Sequence, residues 1–217
     1  MVKKLFDVYK RWRHSRGFGV HSPYAFRFVT DVVRPGSYGF YAYDKLETLL
    51  KREEIHDRHL ISTAEFLIRL AVFVKAKRLI INQGNRAAEL ASKSLGLPYR
   101  VVGVKESPEG RREEKGKIKK SRSGEKAEAI TLRDGDLISL YGKPGNRGFS
   151  GSIDLERLQM ALQQNIPILV LNPDAQTRSL LEKPFSYGLL FTSPGSVLLI
   201  PRPEMAYTSY EISLKIG

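Results

Sequence analysis

The chain has no cysteine, and this absence excludes three kinds of chemistry. Disulfide bonds, thiolate catalysis and cysteine-bound zinc all need the missing side chain. Long apolar runs are missing too, since the best one, residues 67–74, contains Arg69 and is far shorter than the roughly 20 residues that cross a bilayer. The N-terminus lacks the apolar core and the cleavage site of a signal peptide. We therefore expect a cytoplasmic protein without a membrane span.

Acidic residues are scarce relative to basic ones. The chain has 36 Lys and Arg against 23 Asp and Glu, a formal net charge of +13, and an isoelectric point near 9.9. A charge of this size favours a polyanionic partner such as RNA, DNA or anionic lipid. The excess is concentrated in residues 1–34, with eight basic and two acidic residues, and in residues 105–126, with nine and five. The mixed signs of the second block predict a solvated helix and loop.

The first segment of the chain has the pattern of a basic amphipathic helix. Its apolar positions recur at helical spacing and are Val2, Leu5, Phe6, Tyr9 and Trp12. Its basic positions are Lys3, Lys4, Lys10, Arg11 and Arg13. Packing of the apolar stripe on the main domain is the commonest use of such a helix, and the alternatives are a membrane surface or a phosphate-bearing partner. Nucleic-acid binding through the five basic residues is the partner hypothesis.

Helix signals dominate up to about residue 74. Ser22 followed by Pro23 predicts a helix start, with Ser22 as the cap, and this helix is expected to run through Val33. The run STAE at residues 62–65 has the form of a capping box and predicts the start of a later helix. We expect residues 1–60 to form an N-terminal helical cap or lid, and residues 61–217 to form an α/β domain.

The second part of the chain alternates short apolar runs with helical stretches or turns. The runs occupy residues 78–81, 99–104, 127–132, 136–141 and 167–172. Strands that are apolar almost throughout predict a parallel sheet covered on both faces. Residues 187–202 differ, because two apolar runs are joined there by Ser-Pro-Gly-Ser, which predicts a hairpin with an antiparallel last strand.

This order of elements resembles the class I S-adenosylmethionine-dependent methyltransferase fold. AEFLIRLAVFVKAKRLIINQG at 64–84 is similar to the helix and first strand before that family's cofactor loop, and YRVVGVKES at 99–107 to its second strand with an acid at the tip. DLISLYG resembles the fourth strand and YGLLFTSPG the sixth, while GVHSP at 19–23 resembles a motif of small O-methyltransferase-like proteins. The resemblance implies a doubly wound, mostly parallel seven-stranded Rossmann-like sheet with an N-terminal helical extension and a C-terminal antiparallel hairpin.

The resemblance also implies a set of cofactor-binding positions, several of which are substituted. The positions are Asn82, Gly84, Asn85, Glu106 and Tyr141. Asn82 and Tyr141 stand where the family has acids, whereas Glu106 keeps the carboxylate that accepts hydrogen bonds from a ribose. Ala88 and Arg86 stand where small, flexible or glycine residues are usual. Arg86 would repel a sulfonium and an ammonium unless its side chain turns to solvent.

The catalytic and metal positions are less well defined. His21 is the candidate base, and Ser22 beside it is better explained as a helix cap. Alternatively, residues 17–26 form a lid hinged at two glycines. At the end of the predicted fifth strand, Asn172 and Asp174 supply one carboxylate, which cannot hold a divalent cation alone, so we expect no metal.

Two hypotheses of function follow from these patterns. The first is an enzyme that transfers a methyl group from S-adenosylmethionine to an unknown small-molecule or nucleic-acid acceptor, with an eroded cofactor motif. The second is a non-catalytic, degenerate methyltransferase fold that acts as a nucleic-acid-binding or protein-interaction module. The substituted cofactor positions favour the second, and the resemblance of the fold favours the first.

Overall fold

The computed structural model describes residues 22–34, 41–102, 131–142, 155–182, 188–193, 195–201 and 208–211. Its α-helices are α1 (Pro23–Phe28), α2 (Tyr41–Arg52), α3 (Arg58–Phe73), α4 (Arg86–Leu95), α5 (Leu155–Gln163) and α6 (Ala175–Leu181). A π-helical turn, Val29–Val33, continues α1. Its strands are β1 (Arg78–Asn82), β2 (Tyr99–Val102), β3 (Asp136–Tyr141), β4 (Ile168–Leu171), β5 (Leu189–Ser193), β6 (Ser196–Ile200) and β7 (Thr208–Glu211).

The strands form one open, mixed sheet in the order β2-β1-β3-β4-β6-β5-β7. The pairs β1–β2, β1–β3, β3–β4 and β5–β7 are parallel, and β4–β6 and β5–β6 are antiparallel. The α/β class is therefore confirmed, and so is the antiparallel hairpin, β5–β6. The sequence predicted that the antiparallel strand is the last one, and this was wrong. Strand β7 follows the hairpin and pairs in parallel with β5. The finer assignment to a doubly wound methyltransferase sheet stays a prediction.

Side chains from alternate positions of the strands build a core on each face of the sheet. In β1, Leu79 and Ile81 are buried with side chains of helices α1 to α4, whereas Ile80 is buried with side chains of α5 and α6. On the first face, Phe28 of α1 stacks on Phe191 of β5 with ring centroids 4.1 Å apart. Because α1 to α3 belong to this core, residues before and after position 60 pack together, and the boundary between 60 and 61 falls inside α3.

Local capping explains where two helices begin, and it corrects one expectation. The Ser22 side chain accepts a hydrogen bond from the Ala25 N–H, and Pro23 is the first residue of α1, as predicted. Helix α3, in contrast, is capped by Asp57, which accepts from the N–H groups of His59 and Leu60. The predicted capping box at 62–65 therefore lies inside α3 and does not start it. Asp57 precedes Ser62 in the chain and caps the helix first. Leu60 and Ile61, which lie between the two, are apolar and extend the apolar face of the helix.

A buried ion pair joins the first residues of β1 and β3. Arg78 Nε and Nη2 donate to the two oxygens of Asp136, at 2.8 and 2.6 Å, and the pair has side-chain exposures of 13% and 2%. The Arg133 N–H donates to the same carboxylate at 2.8 Å, and Arg78 Nη2 also donates to the Thr131 carbonyl at 2.9 Å. This two-bond geometry is the strong form of an arginine–carboxylate contact, and it raises the pKa of Arg78. The pair fixes the register of the two central strands at their amino ends.

Several expectations fall on residues outside the described ranges. They concern the basic N-terminal helix, His21, Glu106 and the charged block 105–126. The predicted strand at 127–132 is partly outside them, and its two described residues, Thr131 and Leu132, are not in a strand. No helix within the described ranges combines the length and the apolar character that crossing a membrane requires.

Candidate functional site

The candidate site lies at the carboxyl end of β1, where a tight turn leads into α4. Asn82 ends the strand, and its carbonyl accepts a hydrogen bond from the Asn85 N–H at 3.2 Å. Gly84 occupies the third position of this turn with φ of +83°, which a type II turn requires and which glycine adopts without strain. No described atom lies within 4 Å of a Cβ placed on Gly84, so the turn is open on that side. In α/β sheets, ligands bind at this edge, and helix N-termini favour anions.

Asn85 is the cap of α4 and ties that helix to β3. Its Oδ1 accepts from the Ala88 N–H at 3.2 Å, while its Nδ2 donates to the carbonyl and the hydroxyl of Ser139 at 3.0 and 3.1 Å. The residue is 1% exposed. The Asn85 side chain is thus engaged inside the protein, and the ligand-facing groups of the turn are those of its backbone.

The Asn82 side chain forms a two-bond clip with the backbone of Tyr141 at the end of β3. Asn82 Oδ1 accepts from the Tyr141 N–H, and Asn82 Nδ2 donates to the Tyr141 carbonyl, both at 2.8 Å. The amide therefore imitates a peptide group and adds a rung between β1 and β3. A carboxylate could accept the first bond but could not donate the second. The amide is the side chain that this geometry needs, and it pairs Asn82 with the backbone of Tyr141.

Arg86, in the first turn of α4, is paired with two carboxylates. Its Nη1 donates to Glu89 at 2.6 Å, and its Nη2 forms a close ion pair with Glu53 at the end of α2. The hydrogen bond with Glu89, followed by the charge of Glu53, raises the pKa of Arg86. The sequence predicted that Arg86 either repels a cationic cofactor or turns to solvent. Its side chain is 41% exposed, so part of it faces solvent, and its charge is compensated by Glu53, the residue that follows α2, and by Glu89. The Arg86 side chain thus links the end of α2 to α4.

A cavity of about 170 Å³ lies above this turn. It is lined by Gly84, Asn85, Arg86, Ala87 and Tyr141, and by Asp57, His59, Leu60 and Thr63 from the start of α3. Small-molecule sites usually measure about 300 to 1,000 Å³. The part of the cavity that the described residues enclose is therefore smaller than a typical nucleotide-sized ligand.

No family model, no curated protein and no solved structure matches this chain.

His59 lines the cavity and was not predicted as a site residue, because its spacing to the other histidines matches no ligand pattern. The Thr63 hydroxyl donates to the His59 carbonyl at 2.7 Å and lies 3.3 Å from His59 Nδ1. The donor in the second contact depends on which imidazole nitrogen carries the proton. Asp57 caps α3, which therefore begins earlier than the sequence predicted. This early start places His59 in the first turn of α3, beside the cavity.

The remaining positions of the sequence prediction have local roles. The Asp174 side chain caps α6 by accepting from the Thr177 N–H at 2.7 Å. Asn172, after β4, adopts a left-handed backbone with φ of +49°. Ala88 is fully buried in α4. In the part of the chain that the structure describes, no three His, Asp or Glu side chains are grouped as metal ligands.

Proposed function

We propose that this chain is a degenerate methyltransferase-like α/β protein that acts as a nucleic-acid-binding module. The observation that carries this proposal is the clip between Asn82 and Tyr141. In the family that the chain resembles, an acid for the cofactor occupies the position of Asn82. Here the amide of Asn82 is used to pair two strands of the sheet. The family's site for S-adenosylmethionine has a carboxylate at this position, and in this chain a carboxylate would face the Tyr141 carbonyl.

One further feature at the same turn supports the loss of cofactor binding. Arg86, in the first turn of α4, is held there by ion pairs with Glu53 and Glu89. A bulky, paired guanidinium thus occupies a position where the family usually has a small, flexible or glycine residue.

Net charge supports nucleic acid as the partner. An excess of 13 positive charges attracts polyanions over many ångströms, and phosphate contacts supply most of the affinity of sequence-independent binding. The expected contacts are Lys3, Lys4, Lys10, Arg11 and Arg13, which lie outside the described residues. Their spacing in the chain puts them on the polar side of the predicted helix.

We expect replacement of these five basic residues by glutamine to abolish RNA binding. The measurement is retention of a single-stranded RNA by the purified protein as a function of salt. Five phosphate contacts should give the parent chain a slope of log affinity against log salt of about −3 to −4, and the variant should retain no RNA even at low salt. A matched control replaces Arg111, Arg112, Lys117, Lys119 and Lys120, which changes the net charge by the same amount.

The control separates a defined site from general attraction. The N-terminal variant should lose binding, and the control should keep most of it. Equal losses in both variants, or unchanged retention in the N-terminal variant, would contradict the assignment of the N-terminal segment as the RNA-binding site.

A second candidate function is methyl transfer from S-adenosylmethionine. The turn at Gly84 favours it, because no described atom lies within 4 Å of the Cβ position of this glycine, which leaves room for a carboxylate to approach the N-terminus of α4. In this alternative, the backbone near Gly84 and Asn85 binds the methionine carboxylate, Glu106 binds the ribose, and His21 orients the acceptor.

Calorimetric titration with S-adenosylmethionine and S-adenosylhomocysteine separates the two candidates. After a check for copurified ligand, we expect no saturable heat up to about 1 mM of either ligand. Micromolar binding that Glu106→Ala weakens by tenfold, about 1.4 kcal/mol, while Glu109→Ala leaves it intact, would establish the enzyme instead.

A further inference from the structure

A second and larger cavity lies at the opposite edge of the sheet. Its volume is about 710 Å³, which is within the usual range for small-molecule sites. Residues that precede the central strands line it, namely Lys75 before β1, Gly135 before β3 and Pro167 before β4. Helices α1 and α3 close it from one side. This edge holds the amino ends of the parallel strands, so the cavity is separate from the turn at Gly84.

Arg69 of α3 is a buried cation that lines this cavity. The residue is 8% exposed. Its Nε donates to the Val32 carbonyl and its Nη1 to the Tyr43 hydroxyl, both at 2.8 Å. Both acceptors are neutral. A guanidinium has five N–H donors, so these two bonds use less than half of its capacity.

The carboxylates that line the same cavity are each paired with another cation. The pairs are Asp31 with Arg27 at 3.7 Å, Asp134 with Lys77 at 4.0 Å, and Asp136 with Arg78 at 2.6 Å. Among the described residues, Arg69 and Lys75 therefore line the cavity without a carboxylate partner. Arginine is rarely buried without an opposite charge, because removing it from water is costly.

The Val32 carbonyl compensates part of the positive charge of Arg69. It lies in the last turn of the helical segment that begins at Pro23, where unpaired carbonyls carry a partial negative charge. Such an end is equivalent to about half an elementary charge, which is less than the full charge of a guanidinium. A ligand with a formal negative charge would complete the compensation.

The wall beside Arg69 is apolar and aromatic. Tyr24 and Phe73 are in contact there, with ring centroids 4.9 Å apart, and the Val72 side chain is exposed in the same lining. A pocket that combines an apolar wall with one charged group orients a ligand by that group. We propose that this cavity binds a small organic anion whose carboxylate or phosphate pairs with Arg69, and whose apolar part lies against Tyr24 and Phe73.

Nuclear magnetic resonance of the Arg69 side chain tests this proposal directly. We expect the Arg69 Nε–H signal to shift saturably when the full chain is titrated with sodium benzoate or with inorganic phosphate, up to about 50 mM for a site of millimolar affinity. A response to benzoate alone identifies a carboxylate site, and a response to phosphate alone identifies a phosphate site. No saturable shift with either anion would overturn the proposal.

Two variants locate the binding. Lys75→Gln, at an exposed residue of the lining, should weaken binding about threefold, and Arg69→Gln should weaken it at least tenfold, about 1.4 kcal/mol. Lys51→Gln removes an exposed charge from α2 that does not line the cavity, and it should change nothing. If Arg69→Gln does not fold, Lys75→Gln decides, and binding that it leaves unchanged counts against the site. The result is independent of the proposed function, because neither RNA nor S-adenosylmethionine is a probe here.

Discussion

Replacement of Arg78 by methionine is expected to lower the free energy of unfolding by about 3 to 5 kcal/mol. The Asp136 carboxylate is 2% exposed and would keep its hydrogen bond from the Arg133 N–H, but its opposite charge would be gone. An unpaired carboxylate in that position is strongly disfavoured. Urea unfolding of both proteins, followed by circular dichroism, measures the difference.

A double-mutant cycle shows how much of this loss belongs to the pair. Arg78→Met with Asp136→Leu removes both charges, and the double variant should recover part of the loss because no buried charge remains unpaired. Arg27→Met is the matched control, since its ion pair with Asp31 is exposed and longer, at 3.7 Å. We expect it to cost less than about 1 kcal/mol. A loss at Arg78 no larger than that of the control would contradict the assigned role.

The Arg78 effect should not depend on pH near neutrality. The hydrogen bond from Arg78 to Asp136 raises the pKa of the guanidinium above its ordinary value. A raised basic pKa gives stability that is present below the unfolded pKa and is lost only as the pH rises through the folded pKa. Both pKa values lie far above neutral pH, so the guanidinium stays charged, and unfolding at about pH 7 and about pH 9 should give the same difference between Arg78→Met and the parent chain.

Replacement of Asn82 by aspartate is expected to lower the free energy of unfolding by about 3 kcal/mol at neutral pH. The new carboxylate would still accept from the Tyr141 N–H, but its second oxygen would face the Tyr141 carbonyl in place of a donor. The residue is 8% exposed, so water cannot separate the two oxygens. Thermal and urea unfolding measure the loss, which should become smaller in acid as the aspartate gains a proton to donate.

Asn172→Asp provides a matched control for this substitution. Asn172 also follows a central strand, but it is exposed and has no such clip. Its replacement should change the free energy of unfolding by no more than about 0.5 kcal/mol. If Asn82→Asp is as mild as the control, the clip does not stabilise the protein, and the main argument against a cofactor carboxylate at position 82 fails with it.

Local patterns in the sequence predicted much of the sheet. The apolar runs at 78–81 and 167–172 became β1 and β4, because such runs are buried between two helical layers. The Ser-Pro-Gly-Ser junction marked the hairpin correctly. Strand β7 was missed because residues 208–211 are too short and too polar to give a strand signal.

The candidate site was predicted in part, and its long-range contacts were not. The sequence predicted Asn82 and Gly84 as site residues, because a strand, a turn with glycine and a helix follow one another there in a recognisable order. It could not show that the partner of Asn82 is a backbone group 59 residues away, or that Glu53 is placed against Arg86 from 33 residues away. Backbone acceptors carry no signature in the residue type, so such contacts emerge only from the fold.

The clip also makes one amide proton a natural sensor of the candidate site. The Tyr141 N–H lies at the end of its strand, where fraying normally allows fast exchange with solvent. Because its acceptor is the Asn82 side chain, its exchange rate reports whether that side chain is in place. A molecule that displaces the Asn82 side chain from the clip would speed exchange at Tyr141, whereas one that contacts the backbone of the Gly84 turn without moving that side chain would leave it slow. Hydrogen exchange at this single position can therefore distinguish the two modes of occupancy without an assay of activity.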